Sequence, residues 1–153
     1  MDKNIIDKAF SFLRTRDPKL CSLSTVSGSG DPESAVMGYA LGESNILVFS
    51  TDKNSRKVPN IEKNHRVAMI FGWSFGELNI QMEGAASLVT GGNDLHACED
   101  IYFAAHPEAL EFKGTPETIY IKVQPVWLRL SDYNPNPPDI KETNIEFPDT
   151  SRQ

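Results

Sequence analysis

Cysteine is scarce in this chain of 153 residues. Cys21 and Cys98 are the only two, they lie far apart, and neither belongs to a CxxC pair. That excludes a disulfide-stapled scaffold and a four-cysteine metal site, and it predicts two free, buried thiols. Histidine is also sparse: His65, His96 and His106 include no pair at metal-ligand spacing, and His96 with Cys98 lacks a third ligand nearby. Surface or helix-end histidines are the expectation, with no metal site. Excess positive charge is missing as well. Fifteen Lys and Arg stand against 21 Asp and Glu, a net charge of −6, which argues against a nucleic-acid or anionic-membrane surface. No apolar run approaches the length of a membrane span. The stretch Met1 to Asp7 carries acids rather than an apolar segment, so no signal peptide is expected and the cytoplasm is the expected compartment. There is no GxSxG elbow and no phosphate-binding P-loop. Gly28-Ser29-Gly30 runs into Asp31-Pro32 and reads as a hairpin turn, because no helix follows it.

What is present is an ordinary globular composition, 39% hydrophobic and 24% charged, in a length that suits one domain. Ile5, Ile6, Ala9, Phe10 and Leu13 recur at helical spacing and predict an amphipathic helix ending before Asp17-Pro18. Leu20 to Val26 alternates and reads as a strand, followed by strands over Ser34 to Leu41 and Ile46 to Ser50, an order that favours an antiparallel meander. A short helix is expected from Asn54 or Ser55. A buried strand follows over Arg66 to Trp73, then a long alternating one over Glu77 to Val89. Asn93 or Asp94 can cap a helix through Phe103. His106 to Phe112 reads as a short helical piece, and Thr118 to Val123 as a sixth strand that Pro125 interrupts. Asn134 to Asp139 is rich in proline and asparagine. The expected organisation is therefore one domain over 1–133 and a Pro-rich surface tail over 134–153. Six or seven strands with few helices predict a mainly β fold, a small closed antiparallel barrel that removes exposed sheet edges.

One local cluster of charge stands out against the acidic background. Phe49 to Lys57 reads as a strand end, a polar turn and a helix start, with Ser55, Arg56 and Lys57 gathered where the helix opens. Free backbone N–H groups, a hydroxyl and two cations suit a phosphate. The same three residues also fit a plain capped helix with two solvated cations. On the fifth strand, Asn79, Gln81 and Glu83 alternate onto one face, opposite Leu78, Ile80 and Met82. A carboxamide there could pair with the pyrimidine edge of a flavin ring, or simply face solvent. Trp73 and Trp127 read as core or interface residues rather than a stacking platform.

Several segments together resemble the pyridoxamine 5′-phosphate oxidase-related flavoproteins, the FMN-binding split β-barrel superfamily. They are Phe49-Ser50-Thr51, Ser55-Arg56-Lys57, Asn64-His65-Arg66-Val67-Ala68 and Met82-Glu83-Gly84, in that order. Pro125 to Tyr133 resembles the small bacterial general stress protein branch. The resemblance implies a six-stranded antiparallel split barrel and a homodimer, with FMN held in grooves between the subunits. It implies that Ser55, Arg56 and Lys57 hold the phosphate, that Ser50 and Thr51 line the cofactor, and that Asn79 faces the flavin ring. Val48, Met37 or Trp73 would supply apolar burial for that ring. The chain departs from the oxidase in two places. Its second strand, Ser34 to Tyr39, has no cation, and its last strand gives way to Ser131-Asp132-Tyr133 without the Trp…Arg-x-His signature. Pyridoxal phosphate synthesis is therefore not expected. The expected function is an FMN-dependent oxidoreductase acting on a small molecule, with NADH or NADPH as candidate donor and no catalytic residue assigned. The alternatives are a flavin-binding stress-response module without turnover, or the same barrel holding a deazaflavin or haem.

Overall fold

The computed structural model describes residues 1–147. A single antiparallel sheet curls around most of the apolar side chains. Its strands are β1 (Leu20–Val26), β2 (Pro32–Gly38), β3 (Ala40–Leu41), β4 (Leu47–Asp52), β5 (Arg66–Phe71), β6 (Asn79–Val89), β7 (Thr118–Asp132) and β8 (Asp139–Asn144). The spatial order is β2-β1-β5-β6-β7-β4-β3, with β8 added beside β7. The fold is the expected mainly β split barrel, but with eight strands rather than six among the described residues, and the sheet stays open because its end strands β2 and β3 do not pair. The expected meander is not formed: β1 lies between β2 and β5, and β4 pairs with β7 instead of β2. The chain leaves β2, turns at Tyr39 and passes to the far edge, where the two residues of β3 pair with β4 and not with β2. Edge strand β2 and the end of β4 thus face each other across the opening of the barrel.

Alternation explains which side chains fill the interior. On β1, Cys21, Leu23 and Thr25 point inward and are buried, while Ser22 and Ser24 point out. Phe49 on β4, Met69 and Phe71 on β5, Ile80 and Met82 on β6, and Ile121 and Val123 on β7 complete the core. Helix α1 (Lys3–Thr15) adds Ile5, Ile6, Ala9, Phe10 and Leu13. Each such buried aliphatic or aromatic side chain contributes roughly 1.5–3 kcal/mol of transfer free energy. Asp2 caps α1 by accepting from the Asn4 and Ile5 amides at 3.0 and 3.2 Å. A smaller cluster, with Ala40, Val48, Cys98 and Tyr120, lies under α3 (Gly92–Ala105). Both cysteines are free and buried.

Three boundaries differ from expectation for local reasons. Helix α2 spans Lys57–Lys63 and does not begin at Asn54 or Ser55. The Asp52 side chain accepts the Asn54 amide at 2.7 Å and its carbonyl accepts the Ser55 amide at 3.0 Å, so these residues close a turn first. Strand β7 runs through Pro125 because the ladder with β6 slips between Glu83 and Gly84, and the extra residue Val126 absorbs the missing donor. Gly84 is required at that bulge: a Cβ there would stand 2.4 Å from a Val123 methyl. Finally, the expected tail folds back. Asp139–Asn144 forms β8 along Trp127 to Asp132, and residues 148–153 of that stretch lie outside the described residues. Among the described residues no helix is long and apolar enough to cross a membrane.

Candidate functional site

The opening between β2 and the end of β4 holds a pocket of about 210 Å³ lined by Leu23, Thr25, Glu33, Ser34, Ala35, Ser55, Arg56 and Lys57. Its floor comes from the β1–β2 hairpin, whose register places Leu23 opposite Ala35 and Thr25 opposite Glu33. Its lip is the turn after β4. That turn is tied down from behind, where the Lys53 amide donates to the Glu117 carbonyl at 2.9 Å and the Lys53 ammonium meets the Glu117 carboxylate at 3.1 Å. From below, Asn60 on α2 donates to the buried Thr25 hydroxyl at 3.0 Å. The lip is therefore clamped to both neighbouring elements.

Behind the lining, the buried Thr51 hydroxyl sits 3.1 Å from the Ser55 hydroxyl and accepts from the Lys57 ammonium at 3.4 Å. Burial, and then the neighbouring Arg56 charge, hold the Lys57 pKa below its usual value. Its charged form is thus under-solvated, and an anion in the pocket would relieve it. Arg56 is mostly exposed, with 79% of its side chain open, and its Nε meets Glu33 at 3.1 Å. Glu33 is the more enclosed partner, at 19%. The donor set of hydroxyls and two cations fits a phosphate; a carboxylate on the same wall opposes one.

The structure brings Thr51, Ser55, Arg56 and Lys57 together. Ser50 and Asn79 stand apart from them. Alternation on β4 turns Ser50 to the face opposite Thr51, beside Tyr120 of β7. Asn79 opens β6, three strand steps from β2, which at ~4.8 Å per step is roughly 14 Å across the sheet. Its carboxamide donates to the Gly72 carbonyl at 2.7 Å and lines a second pocket with Trp73, Phe75, Glu77 and Tyr133. Asn79, Gln81 and Glu83 do share the outward face of β6. Of the residues expected to bury a ring, Val48 is buried in the cluster under α3 and borders a cavity there with Leu41, Ile46 and Ile101. Met37 is partly buried against the main core, and Trp73 stands exposed under a stacked guanidinium.

Three residues escaped sequence reasoning. Glu33 belongs to the pocket, and writing out the register of the Ser27–Asp31 hairpin would have placed it inward, opposite Thr25. Arg16 and Glu77, far apart in sequence, build the corner that carries Trp73. Arg16 Nε donates to Glu77 at 2.7 Å, its Nη1 donates to the Pro18 and Leu20 carbonyls at 3.0 and 2.7 Å, and its guanidinium lies 4.5 Å over the Trp73 ring. No local motif announces that contact. Of the histidines, His65 and His96 are exposed. His106, which caps the end of α3, is buried, with its ring nitrogens 2.7 Å from the Tyr39 carbonyl and 3.0 Å from Glu108. Among the described residues no group of three or more His, Cys, Asp or Glu is placed to hold a metal ion.

A split barrel with an anion-type pocket at its opening defines the class. The chain belongs to the pyridoxamine 5′-phosphate oxidase family, whose model matches residues 5–132. A curated relative, the pyridoxine/pyridoxamine 5′-phosphate oxidase of Crocosphaera subtropica, is 31% identical over 91 residues, 60% of this chain and 40% of that protein. The chain thus spans well under two thirds of that relative's length. Among solved structures, general stress protein 26 of Bacillus anthracis superposes with a TM-score of 0.70 at 22% identity, covering 92% of this chain and 99% of the other. A pyridoxamine 5′-phosphate oxidase-related, FMN-binding protein of Nostoc punctiforme gives 0.67 at 15%, covering 95% and 96%. A heme-binding protein of Mycobacterium smegmatis gives 0.68 at 15%, covering 82% and 52%. At these identities the structural matches speak for the fold.

Proposed function

We propose that this protein binds FMN, with the phosphate in the pocket of Thr51, Ser55, Arg56 and Lys57, and works in the cytoplasm as a homodimeric flavin-dependent oxidoreductase on a small molecule. The observation that carries this reading is the meeting of two cations and the Ser55 hydroxyl in one pocket at the barrel opening, backed by the Thr51 hydroxyl, in a chain of net charge −6. Flavin, when bound, supplies the hydride chemistry, with NADH or NADPH as the candidate donor. The protein's own residues anchor and orient it. Ser55 and Arg56 present donors at the lip, Lys57 adds charge from a half-buried position, and the Asn60–Thr25 bond holds the lip still. Ser50 and Asn79 would contact the flavin away from the phosphate, with Asn79 offering the carboxamide oxygen that Gly72 leaves free. A second copy of the chain has a natural seat on the outward face of β2, β1 and β5. There Val36 and Ile70 are exposed beside the small side chains of Ser22, Ser24, Ser34 and Ala68.

FMN titration by fluorescence tests the proposal. The double variant R56A/K57A removes two charge-assisted hydrogen bonds and should weaken FMN binding about 100-fold while leaving the fold intact. Unchanged affinity in that variant would remove the site assignment. Bleaching of the bound flavin by NADH or NADPH, with recovery in air, supports turnover. Absence of bleaching with either donor makes the protein a flavin-binding module instead. A haem in this barrel has less support, because the buried His106 has both ring nitrogens engaged.

A further inference from the structure

We infer that Glu33 is a built-in counter-anion of the pocket, an autoinhibitory contact that a phosphate must displace from Arg56 before it can bind. The inference rests on the phosphate reading above and adds a residue that opposes it. The β1–β2 register aims Glu33 at the barrel opening, opposite Thr25, so its carboxylate shares the pocket wall with Ser34, Ser55, Arg56 and Lys57. Arg56 lies 3.1 Å away and is its one ion-pair partner among the described residues. The pair is lopsided. Glu33 is mostly enclosed, whereas Arg56 hangs over the rim, so the carboxylate holds the guanidinium where an incoming phosphate oxygen would otherwise go.

Counting charge shows the consequence. Arg56 and Lys57 supply two positive charges, and Glu33 cancels one. A phosphomonoester carries close to two negative charges at neutral pH, so in this pocket it meets one uncompensated cation and a carboxylate within a few ångströms. The phosphate therefore adds less to flavin affinity than two cations and two hydroxyls would alone. Glu33 thus sets how strongly the pocket separates a phosphorylated ligand from its unphosphorylated counterpart.

The test compares FMN with riboflavin, which lacks the phosphate, on the purified protein and on E33Q, a substitution that keeps size and removes charge. The ratio of riboflavin Kd to FMN Kd should rise about tenfold in E33Q, the order expected from one charge a few ångströms away in a partly solvated site. Adding R56A to E33Q should erase that gain. FMN binding by E33Q where the natural protein shows none would support the inference in a stronger form. If the natural protein binds FMN and E33Q leaves the ratio unchanged or lowers it, the counter-anion role is overturned and the flavin reading stands. Equal tightening for both ligands would also overturn it, because Glu33 would then act on the ring or ribityl chain. If neither protein binds FMN, both the inference and the flavin reading fall.

Discussion

Two arginine–glutamate pairs in this molecule look alike on paper and differ in every physical respect. Arg16–Glu77 is closed: 2.7 Å long, with 7% of the Arg16 side chain exposed, its Nη1 held by two backbone carbonyls, and an indole stacked on the guanidinium. The second Glu77 oxygen accepts the Trp73 and Ser74 amides at 3.1 and 3.2 Å. Arg56–Glu33 is open: longer, rim-exposed on one side, and set in a pocket with spare hydroxyls. The first joins the end of α1 to the loop after β5 and is held by several partners at once. The second leaves an arginine that can change partners. The difference lies in satisfaction rather than residue type: a charge whose hydrogen bonds are complete is structural, and one held by a single exchangeable partner can serve binding.

The largest effect should come from exchanging the two arginines for alanine one at a time. Arg16→Ala removes a buried guanidinium from a partly buried carboxylate, takes a donor from the Pro18 and Leu20 carbonyls and unstacks Trp73. It should destabilise the protein by about 3–5 kcal/mol, read as a fall in the denaturant midpoint. Arg56→Ala removes an exposed partner and should cost no more than about 0.5 kcal/mol. If the two variants lose similar stability, the contrast between closed and open pairs is broken.

How far the contrast was legible in the sequence follows from the distances over which each feature is encoded. Strand β1 could be bounded at Leu20 and Val26 because Cys21, Leu23 and Thr25 alternate with serines within one segment. Ser55, Arg56 and Lys57 are contiguous, so their cluster was visible before any fold. Strand β8 was not, because Asp139–Asn144 is polar apart from the exposed Ile140 and buries only Thr143; its pairing comes from β7, not from its own pattern. Pro125 hid the continuity of β7, since the bulge at Val126 that accommodates it depends on the room the facing strand leaves at Gly84. The Arg16–Glu77 contact spans 61 positions, and nothing near either residue marks it. The exact course of the loop it holds also depends on Gly72, at φ +77°, where a Cβ would fall 1.9 Å from the Leu78 carbonyl oxygen. Chemistry written in neighbouring residues could be read, while chemistry assembled by strand order could not.

A smaller effect should appear in acid. The hydrogen bond from Arg16, followed by those from the Ser74 and Trp73 amides, holds the Glu77 carboxyl below its ordinary value of 4.5. A carboxylate whose pKa is depressed by folding contributes stability that is complete above the unfolded value and is lost as pH falls through the folded one. Stability measured by urea midpoint should therefore decline below pH 4.5 more steeply in the natural protein than in Glu77→Gln. Parallel acid limbs would show that the closed corner does not couple to protons, and would weaken the case that its ion pair is what holds the loop.

The smallest effect concerns the open site, at the other end of the pH scale. Lys57 is held below 10.5 by burial first and by Arg56 second, so in the folded protein it gives up its proton at lower pH than a free lysine does. For a cation whose pKa folding depresses, the unfolded chain binds more protons between the two values, and stability rises slightly as pH climbs through that window. Phosphate binding moves the other way, because the neutral amine no longer attracts the anion. FMN affinity should therefore weaken a few-fold as pH approaches 10. Lys57→Arg, whose guanidinium stays charged, should keep its affinity flat over the same range. Opposite trends in stability and affinity, both removed by one conservative substitution, would separate a lysine that serves the ligand from one that serves the fold. A matching decline in Lys57→Arg would instead place the titrating group elsewhere and return Lys57 to the role of a solvated surface cation.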